Sequence, residues 1–177
     1  SLTLGIRTAV QTVTARRLGQ NLLKESGVAL RNGVILALVY STPTSIIVWF
    51  NSEKIVQFFI NDPLATPLTT DYVSIIFIGL MFSSISFVFQ GFFTGIEKTK
   101  VHMRVTITSN VLNVYLNAGF IYGTNGIRDF LMEHFPGFSF VSIFWDWANF
   151  PALGVKGAAI ATFISSVWMT AHYASSL

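Results

Sequence analysis

Asn113 and Asn117 lie in the middle of an apolar stretch of the sequence, Val105–Gly123. Residues four apart share one face of a helix, so their side-chain carbonyl oxygens can point at one small cation. An unpaired amide in hydrocarbon costs several kcal/mol, so such residues normally face protein or a water-filled cavity. The spacing alone favours a second interpretation, hydrogen bonding between helices, which is worth about 0.6 kcal/mol on average.

The composition is that of a membrane protein. Of the 177 residues, 52% are hydrophobic and only 11% are charged, whereas soluble domains carry about 25% charged residues. The absence of cysteine excludes disulfides and thiolate metal sites. No nucleotide-binding, nucleophile or metalloprotease motif is present, and the three histidines lack metal-ligand spacing. The sequence therefore predicts no enzyme activity, no cofactor and no metal beyond a sodium site at the asparagine pair.

The apolar stretches predict five membrane spans, the first of them incomplete, because about 20 apolar residues cross a bilayer. These spans are residues 1–15, 32–50, 72–96, 105–123 and 154–177. The predicted fold is an all-α, polytopic membrane helix bundle. Both ends of the sequence are apolar, so we expect the chain to be a fragment of a longer multi-span protein.

The loop charges predict the orientation, because Lys and Arg accumulate on the cytoplasmic side of a membrane. Loops 16–31 and 97–104 hold most of the basic residues and are predicted to be cytoplasmic. Loops 51–71 and 124–153 hold most of the acidic residues and are predicted to lie outside. The basic residues flank spans instead of forming one stripe, so no nucleic-acid partner is expected. The aromatic residues of FSFVSIFWDWANFP (residues 138–151) favour the outer membrane interface.

Arg7 lies about 14 Å from Arg16 along a helix, near the middle of the bilayer. It has two open interpretations of equal weight: it lines a cavity or pairs with an acid on another helix, or it belongs to a buried structural ion pair. Pro43, in STPTS, is either a hinge for alternating access or a static kink, and the kink is favoured. GFFTG (Gly91–Gly95) permits close helix approach or serves a turn.

Four runs of the sequence resemble one known family, the multidrug and toxic compound extrusion (MATE) transporters. They are VQTVTARRLGQN (Val10–Asn21), GFFTGIEKTK (Gly91–Lys100), SNVLNVYLNAGFIYG (Ser109–Gly123) and LGVKGAAIAT (Leu153–Thr162). Their order and spacing are similar to those of helices two to six in the family's N-terminal lobe. The resemblance implies part of a six-helix lobe in a twelve-helix transporter of the plasma (bacterial inner) membrane.

The resemblance also implies a function and a cation site. Such transporters export cationic or amphipathic small molecules in antiport with sodium ions or protons, and this chain would need the lipid bilayer and the remaining helices as partners. The family's site residues correspond here to Asn113, Asn117 and Thr162, joined by an Asp on a first helix that this sequence lacks. Some relatives carry Asp at the position of Asn117. Neutral oxygens suit sodium, and because no Asp or Glu lies inside a span, a proton carrier is expected outside this sequence.

Two other functions compete with the exporter. A lipid-linked saccharide flippase of the same superfamily would need a more basic cavity for pyrophosphate, and Arg7 is the only basic residue predicted deep inside the membrane, since Lys156 lies at the start of its span. A non-transporting membrane scaffold would not need three cavity-facing oxygens on two helices. Both considerations favour the exporter.

Overall fold

The computed structural model describes residues 2–60 and 62–177, which form helices and contain no strand. The helices are α1 (Leu2–Gly19), α2 (Leu23–Phe59), α3 (Ala65–Gly95), α4 (Thr99–His134), a 3-10 helix (Pro136–Ser142), α5 (Ile143–Asp146) and α6 (Gly154–Ala174). This architecture confirms the predicted all-α helix bundle. Ser1, in the first predicted span, and Asn61, in the predicted outer loop 51–71, lie outside the described residues.

All the long helices except α6 extend beyond the apolar stretches that predicted them, and α6 ends three residues before its predicted end. α2 has 37 residues, which corresponds to about 55 Å along its axis, whereas a bilayer's hydrocarbon core is about 30 Å thick. By length and composition, Lys24–Phe59 and Ala65–Gly95 are long and apolar enough to cross a membrane. The loops predicted from hydropathy are therefore partly helical, because polar residues at the span ends continue the helices.

Large apolar side chains point outward from the bundle while small polar ones are buried. Phe50 and Phe58 are 73% and 82% exposed, whereas Ser26 and Ser41 are fully buried. In water such a surface would be unfavourable, because apolar area exposed to water raises the free energy. The pattern fits a bundle whose outside contacts lipid.

α3 is the central helix and packs against α1, α2 and α6, while α4 packs mainly on α6. Phe89 and Phe93 of α3 form a buried cluster with Val105 of α4 and Tyr173 of α6. Hydroxyl groups join α3 to α6: Ser83 Oγ donates to Ser166 Oγ over 3.2 Å. Such bonds between helices add to the packing that holds membrane bundles together.

Gly91 and Gly95 let α3 approach α1 closely. A side chain at Gly91 would overlap the carbonyl oxygen of Arg7, and a Cβ at Gly95 would lie 2.8 Å from the carbonyl oxygen of Gln11. Of the two interpretations of GFFTG, the structure therefore shows close helix approach.

α4 breaks at Gly123, where φ is 72° and ψ is 163°. Residues without glycine's freedom rarely adopt this conformation. The returning chain occupies backbone groups on both sides of the break: Thr124 N donates to Phe150 O over 3.0 Å, and Leu153 N donates to Phe120 O over 2.8 Å. The predicted span 105–123 ends at this break, and residues 124–134 form a separate helical arm.

Candidate functional site

Asn113 and Asn117 contact each other directly on one face of α4. The side-chain nitrogen of Asn117 donates to the side-chain oxygen of Asn113 over 2.9 Å, and both residues are half-buried. Within the described part of the chain, the side-chain oxygen of Asn117 accepts no hydrogen bond. An oxygen in this state is able to coordinate a cation.

Thr162 lies on α6 at the level of the two asparagines. α4 and α6 run antiparallel, since Gly157 contacts Phe120 and Tyr173 contacts His102. Thr162 follows Gly157 by about 7.5 Å, and Asn117 and Asn113 precede Phe120 by about 4.5 Å and about 10.5 Å. Along the axis, Thr162 therefore lies between the two asparagines.

Helical spacing relates the predicted site residues to one contact between α4 and α6. Asn113 shares its face with His102, eleven residues earlier, and Thr162 shares its face with Tyr173, eleven residues later. His102 Nδ1 and Tyr173 Oη are 2.5 Å apart. Thr162 Oγ1 donates to its own helix, to Ala158 O over 2.9 Å.

The structure thus brings the two asparagines into contact and places Thr162 at their level on the neighbouring helix α6. Across residues 2–60 and 62–177, no hydrogen bond joins Thr162 to either amide. Cation binding by these three residues stays a prediction.

A cavity of about 310 Å³, whose surface is mostly apolar, lies between α3, α4 and α6. By helical spacing, His102 and Thr106 in its wall share a face of α4 with the asparagine pair. Gln90 Nε2 and His102 Nε2 are 2.6 Å apart, and Thr106 Oγ1 lies 3.2 Å from His102 Nδ1. With the Tyr173 contact, one imidazole ring joins three helices. The cavity is lined by Ser83, Ser86, Phe87, Gln90, His102, Thr106, Met169 and Tyr173.

This cavity was not predicted from the sequence, although one signal for it is present. His102, Thr106, Asn113 and Asn117 follow each other at spacings of four, seven and four residues, which places them on one helix face.

Arg7 contributes positive charge near this cavity. Its side chain is half-buried, and it makes no ion pair with any residue that the structure describes. His102 lies in the segment 97–104, outside the predicted spans. Burial of its ring, and then the positive charge of Arg7, lower the pKa of His102 from its ordinary value. Both interpretations of Arg7 stay predictions: the functional one, in which it lines a cavity or pairs with an acid on another helix, and the buried structural ion pair.

Pro43 lies inside α2, which stays helical through it. Thr44 Oγ1 donates to Tyr40 O over 2.8 Å, so a hydroxyl bonds to a backbone carbonyl close to the proline. Buried Ser45 donates to Phe77 O over 2.5 Å and fastens this part of α2 to α3. The role of Pro43 as a hinge stays a prediction.

We call residues 138–151 the aromatic segment, and it packs on α4 around Tyr115. Tyr115 Oη donates to Phe144 O over 2.6 Å and accepts from Trp147 Nε1 over 2.8 Å. Trp145 Nε1 donates to Tyr115 O over 3.0 Å, and the two rings stack 5.3 Å apart. Trp145 is half-buried, whereas Trp147 is 77% exposed.

Comparison with known proteins shows that this chain matches one family. The model of the MatE family matches residues 1–118, which include both asparagines but not Thr162. A probable multidrug resistance protein NorM of Agrobacterium fabrum is 24% identical over 160 residues, covering 90% of this chain and 29% of the relative. The NorM protein of Rhizobium meliloti is 27% identical over 157 residues, covering 89% of this chain and 28% of the relative.

A third relative, from Thermotoga maritima and also named a probable multidrug resistance protein NorM, is 32% identical over 95 residues. That alignment covers 54% of this chain and 16% of the relative. The chain therefore spans less than a third of the length of these curated relatives. No solved structure matches the chain.

Proposed function

Because the chain belongs to the MatE family of multidrug and toxic compound extrusion transporters, we propose that it forms part of a bacterial inner-membrane exporter of cationic or amphipathic compounds, driven by sodium ions or protons. The observation that carries the proposal is the hydrogen-bonded, half-buried pair of Asn113 and Asn117 in the apolar stretch 105–123 of α4. The names of the relatives, probable multidrug resistance proteins, support an efflux function.

The proposed cation site consists of neutral oxygens in this chain and an acid on another helix. Side-chain oxygens of Asn113, Asn117 and Thr162 match the preference of hard cations such as sodium. Desolvating a cation without a nearby anion is costly, so the acid dominates affinity and the three neutral groups position the ion. Arg7 lines the same interior, and Pro43 is the place where α2 bends during alternating access.

Alanine variants in the full-length transporter test the site. Asn113→Ala and Thr162→Ala each remove about one ligand interaction, which is worth about 1.4 kcal/mol. We therefore expect the apparent sodium affinity, measured from ethidium efflux, to fall about tenfold. The amount of protein in the membrane should not change.

Matched controls exist for both residue types. Thr12 is exposed and donates to Thr8 O, as Thr162 does to Ala158 O, and Asn51 donates to Ile47 O at the far end of α2. Thr12→Ala and Asn51→Ala should leave efflux unchanged. If all four variants behave alike, the oxygens of the proposed site have no special role.

Asn117→Asp sharpens the same test in the opposite direction. The new carboxylate should strengthen sodium binding and make it dependent on pH, because a second acid near the first gives coupled titration. Sodium binding measured by isothermal titration at several pH values should separate the variant from the unaltered protein. Equal affinity at every pH would place residue 117 outside the cation site.

The topology is testable without background, since the sequence contains no cysteine. Cysteines at Lys24 and Lys98 should be shielded from an impermeant thiol reagent added outside the cell, and cysteines at Asp62 and Glu133 should be labelled. The reverse pattern would overturn the proposed orientation.

The aromatic segment is proposed to rest on the outer leaflet of the membrane. Phe140, Phe144 and Trp147 are 67%, 61% and 77% exposed, and aromatic rings favour the membrane interface. In single-tryptophan variants, quenchers attached to lipids at shallow depth should quench Trp147 strongly and Trp145 weakly, because Trp145 stacks on Tyr115. Quenching of Trp147 by an aqueous quencher alone would mean that the segment is exposed to water.

A further inference from the structure

We propose that His102 is a proton-binding site of this chain, and that its protonation loosens the junction of α3, α4 and α6 beside the predicted cytoplasmic loop 97–104. The proposal rests on the transport function proposed above and deepens it, because it names an ion that this part of the transporter senses. It does not involve the oxygens of Asn113, Asn117 or Thr162, which lie further along the helices.

The hydrogen bonds around His102 fit a neutral ring. A neutral imidazole carries one donor and one acceptor nitrogen. With the amide nitrogen of Gln90 facing the ring at 2.6 Å, Nε2 accepts and Nδ1 carries the proton. Nδ1 then donates to Tyr173 Oη at 2.5 Å, and Thr106 Oγ1 lies 3.2 Å from the same nitrogen. Gln90 belongs to α3 and Tyr173 belongs to α6, whereas Thr106 lies on α4, the helix that carries His102.

Proton uptake changes this pattern at one atom. A proton from water in the cavity binds the lone pair of Nε2, so the ring gains one positive charge and becomes a donor at both nitrogens. The amide nitrogen of Gln90 now faces an N–H group, and the bond is restored only if the amide turns its oxygen to the ring. Release of the proton to water reverses these changes, so no other reactant is needed.

The surroundings oppose the charged ring. Among the described residues, the titratable or charged groups whose effects reach His102 are Arg7 from α1 and Tyr173 from α6, and α3 contributes the neutral amide of Gln90. A new positive charge on His102 would lie near Arg7 and would have no carboxylate partner among these groups. It therefore weakens the junction of α3, α4 and α6.

The direction of the pH effect follows from this environment. Burial and the charge of Arg7 lower the pKa of His102 in the folded protein. The unfolded state therefore binds more protons at intermediate pH, so the stabilisation from this group is present at neutral pH. It is lost as the pH falls through the ordinary histidine pKa toward the lowered one.

A looser junction affects the proposed cation site because α4 and α6 carry both. His102 and Asn113 are eleven residues apart on one face of α4, about 16 Å along its axis. Tyr173 and Thr162 have the same separation on α6. Movement of α4 against α6 at the His102–Tyr173 contact therefore changes the distance between Thr162 and the asparagines.

Imidazole nitrogen shifts in the full-length protein measure proton binding directly. The signal that disappears in His102→Gln belongs to His102, and its titration midpoint should lie below that of the same ring in the denatured protein. Gln90→Glu should raise the midpoint, since a carboxylate stabilises the protonated ring. A midpoint equal to that of the denatured protein, or one unaffected by Gln90→Glu, would overturn the proposal.

Transport measurements test the consequence. Ethidium efflux driven by a sodium gradient should change with cytoplasmic pH between about pH 5 and pH 8. His102→Gln should lose most of this dependence, while His134→Gln, altered on the helical arm, should keep it. Retention of the full pH dependence in His102→Gln would refute the proposed role of His102 protonation at the junction of α3, α4 and α6. If the unaltered protein moves no ethidium, the proposed function fails, and the shift titration still decides whether His102 binds a proton as described.

Discussion

The part of α4 before its break, residues 99–123, is held at its two ends by different kinds of hydrogen bond. Near its start, the His102 ring bonds to Gln90 and Tyr173 through side chains alone. At the Gly123 break, backbone groups of residues 120 and 124 bond to backbone groups of the returning chain. A side-chain junction depends on the protonation state of one ring, whereas backbone bonds do not titrate.

This difference separates a part of the molecule that can respond to its surroundings from a part that keeps its geometry. The rings of Tyr115 and Trp145 add to the fixed end by stacking. Substitutions at each end should therefore differ in size and in pH dependence, and the following four are ordered by the expected effect.

Gly123→Ala should be the most destabilising change at the break. Alanine is strained at a φ of 72°, and its Cβ would lie 2.9 Å from the backbone nitrogen of Ala152. We expect a loss of about 3 kcal/mol in the free energy of unfolding, independent of pH. Unfolding in mixed micelles measures this loss.

Gly126→Ala is the matched control, because its Cβ would meet only the Tyr122 side chain at 3.6 Å. Alanine in a helix should be neutral or stabilising by up to about 1 kcal/mol. Equal destabilisation by the two variants would show that the break does not need glycine.

Tyr115→Phe should release the aromatic segment from α4. It removes the donor to Phe144 O and the acceptor of Trp147 Nε1, at a cost of about 1–2 kcal/mol. Amide exchange across residues 143–150 should accelerate. Tyr122→Phe, at a site that is 64% exposed, should leave exchange unaltered. An equal response to both variants would contradict the conclusion that the hydrogen bonds of Tyr115 hold the aromatic segment on α4.

Tyr173→Phe should cost less, about 1 kcal/mol, at the start of α4. The phenyl ring keeps its stacking on Phe89 and Phe93, and Thr106 remains 3.2 Å from His102 Nδ1. Unlike the change at Gly123, the cost should depend on pH, because the charged ring at low pH donates a stronger hydrogen bond to Tyr173 Oη. Unfolding at neutral and acidic pH, with Tyr72→Phe as control, decides whether the two ends differ in this way.

Asp146→Asn should have the smallest effect. The ion pair between Arg128 and Asp146 spans 2.8 Å, but the side chains are 42% and 31% exposed, so screening limits it to about 0.5 kcal/mol. The effect should vanish at high salt. Asp129→Asn is the control and should be neutral. If Asp146→Asn alone lowered the free energy of unfolding by more than about 2 kcal/mol, the ion pair would contribute substantially to stability at the Gly123 break.

The helices and the asparagine pair could be predicted because both depend on local periodicity. Apolar stretches of span length predicted the helices, and a spacing of four residues predicted that Asn113 and Asn117 share a face. Their mutual hydrogen bond agrees with that geometry. The close approach at Gly91 was one of two interpretations, because only the neighbouring helix decides between them.

The His102 junction could not be predicted in the same way, because its partners are distant in sequence. Tyr173 lies 71 residues away and Gln90 lies on the preceding helix. The expectation that any proton carrier lies outside this sequence rests on the absence of carboxylates inside the spans, and the sequence does not show which histidine meets polar partners. The Gly123 break was likewise hidden, since hydropathy ends a span without showing whether the helix bends or stops.

The break at Gly123 also determines where the chain can change in length. One residue inserted between His102 and Asn113 would rotate every later position of the helix by about 100° and turn the amides away from the face that they share with His102. One residue inserted within the arm, residues 124–134, would leave that rotation unchanged, because the backbone bonds at residues 120 and 124 fix the helix at the break where the arm begins. Relatives should therefore tolerate insertions and deletions in the arm and resist them between the histidine and the amides.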